Sequence, residues 1–319
     1  MAEKVSDALE AALTSHRMQE LAAQPVQGKF DAAHLNEVHR RIFQDLPSHR
    51  PGEHRSQNFS KHRALESQRK YVVPYADSAD LAEKLDTALA PFSKPESLKN
   101  LAAAEFSERM GKLYADLDYL HPYNEGNSRT LRAFTSQLAK ESGFKLDWAQ
   151  TANSADARDT LYIARDKEIF SRLYPGLDQT RAALTEDRRE YEAYMHFVRH
   201  YAAAKPLKEI VSDAVRKQSD LDAAAAFKGE GAEQALKKFP HLAGAYAAMA
   251  IVDRQVKESG LGQAEQRTVI DAARQNLVAA IERGKTPAPT IRENAAALPK
   301  AIDQAQQEQT LPKQRGLDR

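Results

Sequence analysis

Apolar residues recur every third or fourth position over most of the chain, a period that predicts helices rather than strands. Residues 6–20 read as a first helix and residues 31–44 as a second, with Asp31 as N-cap and Leu35, Val38, Ile42 and Phe43 on its apolar face. Helical period returns over residues 77–92, capped by Asp77 or Ser78. It continues over residues 98–120, where Leu101, Phe106, Met110, Leu113 and Leu117 mark the stripe. After a break at residues 121–127 it resumes over 128–141 with Leu131, Phe134 and Leu138 buried, and Gly143 supplies a stop. Residues 156–173 and 178–204 are the next helices.

The period fails over residues 46–70, which are polar and rich in His and Arg, with a turn signal at Pro51-Gly52. Tyr71-Val72-Val73-Pro74 is the best strand candidate, and a partner near residues 55–60 would make a hairpin. Composition shifts near Lys205-Pro206 to an alanine-rich helical stretch, broken at Gly229 to Gly231, Phe239-Pro240 and Ser259 to Gly262. Residues 285–289 read as a linker, and the glutamine-rich end as a mobile tail. The expected organisation is a domain over 1–204, a helical module over 205–300 and a tail over 301–319.

Composition narrows the chemistry. The chain has 319 residues, 42% hydrophobic and 29% charged, with a net charge of +1. A whole-chain pull toward nucleic acid or anionic membrane is not expected. With no cysteine, thiol catalysis, disulfides and cysteine-bound zinc are excluded. The first residues carry mixed charge and resemble no signal peptide, and no apolar run approaches a membrane span. A cytoplasmic protein is expected, and export by a route that reads no cleaved signal is compatible with it.

The break His121-Pro122-Tyr123-Asn124-Glu125-Gly126-Asn127-Ser128-Arg129-Thr130-Leu131-Arg132 concentrates the chemistry. Asn127 reads as an N-cap and Gly126 permits a turn closed to other residues. The following helix start offers unpaired N–H groups and the positive dipole end, an anion site. Arg129 and Arg132, three apart, share one face and can fork onto phosphate oxygens. Glu125 beside such a cradle suits Mg²⁺, and a neutral His121 can take a proton from an attacking hydroxyl. Together these are the parts of a phosphoryl-transfer site.

The same segment resembles the signature of Fic-domain proteins, His-Pro-Phe-x-(Asp/Glu)-Gly-Asn-Gly-Arg-x-x-Arg. His121, Pro122, Glu125, Gly126, Asn127, Arg129 and Arg132 match. Residues 30–43 resemble the family's opening helix, and Arg55, Asn58 and Ser60-Lys61 the approach to its flap. The resemblance covers roughly residues 10–200. It implies an all-α fold, a Fic-type helical bundle with a small β-hairpin flap, here extended by a C-terminal α-helical module. It implies transfer of AMP from ATP, with His121 as general base and Glu125 holding Mg²⁺. Gly126, Asn127 and Ser128 would form the anion hole through backbone and side-chain donors, while Arg129 and Arg132 would take the β- and γ-phosphates. A target protein would align by strand addition along the flap, residues 59–73, with Phe59 at its start and Val73 at its end. Bacterial relatives of the toxin type act on type II topoisomerase subunits. Tyr123 departs from the usual Phe, and its hydroxyl needs a partner. Ser128 departs from the third Gly.

Many relatives are silenced by a helix bearing (Ser/Thr)-x-x-x-Glu-(Gly/Asn). The Glu-Gly and Glu-Asn steps here are Glu125-Gly126, Glu230-Gly231 and Glu293-Asn294. They are preceded four residues earlier by His121, Ala226 and Pro289, so none fits. Inhibition is then expected from a separate small antitoxin-like protein. Other readings are a different nucleotide donor, or an adaptor whose C-terminal module is the working part. His34 and His39 lack metal-ligand spacing and are expected on the surface or in helix packing. The basic cluster over residues 49–63 and Lys237-Lys238 are expected to be solvated faces, the cluster alternatively a site for an acidic target near the flap. Gly284-Lys285-Thr286 lacks the earlier glycine and the strand–helix context of a phosphate loop.

Overall fold

The computed structural model describes residues 6–58, 60–65, 70–175, 188, 191, 195 and 201–286, which divide into two compact units after Val215. The expected helix over 178–204 lies mostly outside these residues, and the tail over 301–319 entirely so. Phe59 and residues 66–69 of the expected flap also lie outside them.

In the first unit, α1 (Asp7–Ala23) starts where Ser6 Oγ accepts from Leu9 N at 3.3 Å. Asp31 accepts from His34 N at 3.0 Å and starts α2 (Ala32–Phe43). Each bond satisfies an N–H that a helix start leaves unpaired. The helix expected over 77–92 is shorter, α3 (Leu81–Leu89), and is followed by a 3₁₀ turn at Ala90–Phe92. Neither Asp77 nor Ser78 caps it. Asp77 Oδ1 accepts from Ala79 N, Ser78 N donates to Asn58 Oδ1, and the chain enters α3 through Asp80 at φ 56°.

The core is built on α4 (Ala103–Leu120) and α5 (Asn127–Glu141), flanked by α2 and α6 (Ala155–Leu173). Phe43, Leu113, Leu117, Tyr123, Leu131, Phe134 and Leu138 are all fully buried there. The α7 helix (Leu207–Ala214) completes this core, with Leu207, Ile210, Val211 and Ala214 buried. Gly111 lets it approach: a Cβ there would sit 3.4 Å from Lys208 Cα. The expected boundary at Ala204 therefore falls before a helix that belongs to the first unit. Composition missed this because α7 is buried by α4, almost 100 residues earlier in the chain.

A hairpin pairs β1 (Ser60–Ala64) with β2 (Lys70–Pro74), antiparallel, with His62 opposite Val72. Its first strand begins where residues 55–60 were expected to end. Arg55 and Asn58 are engaged elsewhere, with Arg55 N donating to Pro122 O at 2.8 Å. Tyr71 and Val73 point inward with Leu65 and Tyr75 onto Ile169 and Phe170 of α6, and Val72 is exposed. A further short strand, β3 (Phe144–Leu146), follows α5, and the helical period gave no sign of it.

The second unit is helical: α8 (Gln218–Gly229), α9 (Ala232–Lys238), α10 (Ala243–Glu258) and α11 (Gln263–Ile281). Its core is Phe227, Leu242 and Ile281 among Ala223, Ala224, Ala235 and Ala245, small side chains that let helices lie close.

Candidate active site

Two left-handed residues shape the loop between α4 and α5. His121 caps α4 at φ 46°, its N–H donating to Leu117 O at 3.0 Å. Gly126, not Asn127, is the N-cap of α5, at φ 81°. A Cβ at Gly126 would lie 2.2 Å from the Phe43 ring, so space as well as conformation demands glycine. Asn127 takes the first helical position and turns inward. Its Oδ1 accepts from Tyr123 N at 2.9 Å and its Nδ2 donates to Tyr123 O at 2.6 Å. The expected side-chain donor to an anion is thus committed to bracing the loop, leaving the backbone N–H groups of the helix start for that task.

Further contacts hold the loop. Arg55 is buried and donates to the carbonyls of Leu120, His121 and Ala76. Gly52 N donates to His39 Nδ1 at 2.8 Å, so His39 Nε2 carries the hydrogen and donates to Glu125 O at 3.1 Å. Burial pushes His39 down to about 4, which keeps it neutral for this role. Tyr123 stacks on His39 at 3.8 Å, and its hydroxyl finds Asn36 Oδ1 at 2.7 Å. The expected solvated face over residues 49–63 is therefore wrong for three members. Arg55 is buried on these carbonyls, Arg63 is paired with Asp166 at 2.8 Å, and His49 stacks on Phe43.

His121, Glu125, Gly126, Asn127, Ser128, Arg129 and Arg132 all line one cleft of about 320 Å³, as do Lys61, Arg63, Arg158 and Arg165. The cationic lining favours an anionic ligand. His121 is buried and stacked on Tyr75 at 3.7 Å. Burial lowers its pKa to about 3, partly opposed by Asp118, so the imidazole is neutral and able to accept a proton. Arg129 is socketed: it donates to Glu10 Oε1 at 2.6 Å and Thr14 Oγ1 at 3.0 Å, over the Phe43 ring at 4.9 Å. Arg132 keeps a buried Nε without a hydrogen-bond partner. Ser128 Oγ lies 3.4 Å from Arg165 Nη1, which leaves the α5 start intact.

Glu125 is exposed, with Lys61 Nζ 3.5 Å from its carboxylate. Among the described residues no three His, Cys, Asp or Glu side chains gather into a metal cage. A single carboxylate beside an anion cradle fits Mg²⁺ held chiefly by phosphate oxygens and water.

Residues 29–139 match the Fic/DOC family. The chain carries a Fic domain. The protein adenylyltransferase VbhT of Bartonella schoenbuchensis is 34% identical over 140 residues, 44% of this chain and 27% of that protein. The probable protein adenylyltransferase Fic of Escherichia coli K12 is 26% identical over 117 residues, 36% of this chain and 52% of that one. The match thus spans about a quarter of the first relative and about half of the second. Among solved structures, the BepC effector of Bartonella tribocorum with bound AMPPNP is 18% identical, with 66% of this chain and 86% of that chain covered and a TM-score of 0.42. The Fic domain of a Bep effector from Bartonella sp. AR 15-3 is 18% identical, with coverages of 66% and 81% and a TM-score of 0.44. No helix of the described residues is long and apolar enough to cross a membrane.

The sequence reading missed what reaches the Fic site from elsewhere. Glu10 follows Ser6 at the spacing of the inhibitory pattern, but Ala11 replaces its Gly or Asn, and Glu10 pairs with Arg129 rather than Arg132. Arg158, Tyr162 and Arg165 of α6 also line the cleft. Their i, i+4, i+7 spacing on one helix face was the available signal.

Proposed function

We propose that the Fic domain transfers AMP from ATP to a hydroxyl side chain of a target protein. One observation carries this reading: a neutral, buried imidazole and the cationic start of α5 face the same cleft. The backbone N–H groups and arginines hold the polyphosphate, and Glu125 would hold a Mg²⁺ that would offset its charge. The target hydroxyl attacks the α-phosphorus while His121 Nε2 takes its proton. The bond to the α,β-bridging oxygen breaks, and pyrophosphate leaves with the electron pair. Arg129, already oriented, and Arg132, with donor capacity to spare, neutralise the leaving charge. The sequence relation to protein adenylyltransferases supports the same activity.

The β1–β2 hairpin, with Val72 exposed, is the reading's docking strand for the target. A type II topoisomerase subunit of a bacterial cell is the target class, and the cytoplasm the place of action. A small partner protein bearing a carboxylate suits the cleft of about 510 Å³ whose lining includes Met18, Leu21, Arg132, Leu146 and Trp148. The test is incubation with Mg²⁺, bacterial lysate and ATP labelled at the α- or γ-position. Label must pass to protein from the α-position only, and competition by other nucleotides ranks the donors. Passage from the γ-position, or from neither, overturns the reading.

A further inference from the structure

His121 does not stand alone at the end of α4. Asp118, one turn earlier, is buried, and its Oδ1 lies 4.0 Å from His121 Nδ1. Both carboxylate oxygens of Asp118 accept from Arg165, Nε to Oδ2 at 2.9 Å and Nη2 to Oδ1. Arg165 is itself a wall of the cleft. The other face of the ring is closed by Tyr75. A carboxylate taken out of water beside an imidazole favours the imidazolium, a use beyond its pairing with Arg165. A phenylalanine or leucine would fill the space at lower cost.

We propose that Asp118, held by Arg165, is a positioning residue for the base. It keeps the hydrogen of neutral His121 on Nδ1, turns Nε2 toward the cleft, and stabilises the imidazolium that forms as the hydroxyl proton arrives. The proposal rests on the AMP-transfer reading. The logic is that of any imidazole base oriented from behind by a carboxylate. The groups facing His121 are Asp118 from α4, Arg165 from α6, Lys61 from β1 and Tyr75 after β2. Arg55 holds its backbone oxygen. Asp118 is the single negative charge among them, so its removal acts in one direction.

The test compares Asp118→Asn and Asp118→Glu in the full chain at saturating ATP and target. A positioning role predicts that Asp118→Asn lowers kcat by about 10–100-fold, part of the 10²–10⁴-fold that a positioned base supplies. KM for ATP stays within about twofold, and the acid limb of the kcat profile moves to lower pH. Asp118→Glu restores part of kcat. The Nδ1 proton signal of His121, followed by NMR, moves upfield in Asp118→Asn. Should that variant not fold, Asp118→Asn with Arg165→Gln removes both buried charges together, and its kcat must be similarly low. A kcat near that of the unsubstituted chain, or a loss confined to KM with an unmoved acid limb and Nδ1 signal, overturns the proposal. If the unsubstituted chain transfers no AMP, the functional reading fails. The Nδ1 signal then still decides whether Asp118 orients the ring, an unchanged signal in Asp118→Asn overturning the proposal.

Discussion

Gly126 is constrained twice, by φ 81° and by the Phe43 ring 2.2 Å from where a Cβ would lie. Gly126→Ala should cost roughly 3 kcal/mol from overpacking and left-handed strain together, read by urea unfolding, and should displace the loop enough to lose transfer. Tyr123→Phe tests the opposite case. It removes one hydrogen bond, but Asn36 Oδ1 still accepts from His54 Nε2 at 2.7 Å. The expected cost is about 1 kcal/mol, with transfer retained. His121→Ala should lower kcat about 10²–10⁴-fold, and Arg129→Ala about 10³–10⁵-fold, in the α-label assay. The contiguous motif made these residues legible. Its partners were less so: Glu10 and Arg165 carried only a spacing that did not name what they meet, and Asp118 carried no sign at all, because a charge looks the same in sequence whether it faces water or a buried partner.

At the scale of elements, helix starts were legible where a capping side chain writes a local signature, as at Ser6 and Asp31. The start of α3 was not, since Asp80 enters it in the left-handed conformation without a side-chain cap. Strand β1 was misplaced because its buried residue is Arg63, neutralised by Asp166 more than 100 positions away, so no apolar alternation marks it. Docking of α1 has a pH dependence of definite sign. The Arg129 hydrogen bond holds the Glu10 carboxyl below its ordinary 4.5, against the opposing effect of burial. A depressed carboxyl contributes fully above about pH 4.5, and the contribution is lost as pH falls through the lower, folded value. The pair is partly exposed, so the effect is about 1 kcal/mol or less. Amide exchange in α1 should quicken relative to α4 as pH falls below about 4.5, and Glu10→Gln should abolish that difference.

For the molecule as a whole, the boundary matters to any dissection. Truncation after Val215 keeps α7 on the core and should preserve both folding and AMP transfer. Truncation after Ala204 strips Leu207, Ile210 and Val211 from the face of α4 and should yield an aggregating or partly unfolded chain. Thermal unfolding and the α-label assay on the two fragments check this. If the longer fragment were inactive while folded, the adaptor reading of the C-terminal module would gain ground. The lateness of α7 also has a consequence in time. On the ribosome the whole signature and its two arginines emerge 75 residues before the last helix of their own core begins (Arg132 to Leu207). At roughly 5–20 residues per second that is a delay of about 4–15 s. During it His121 waits in an unfinished fold, so the proposed transfer would begin only as the first unit nears completion.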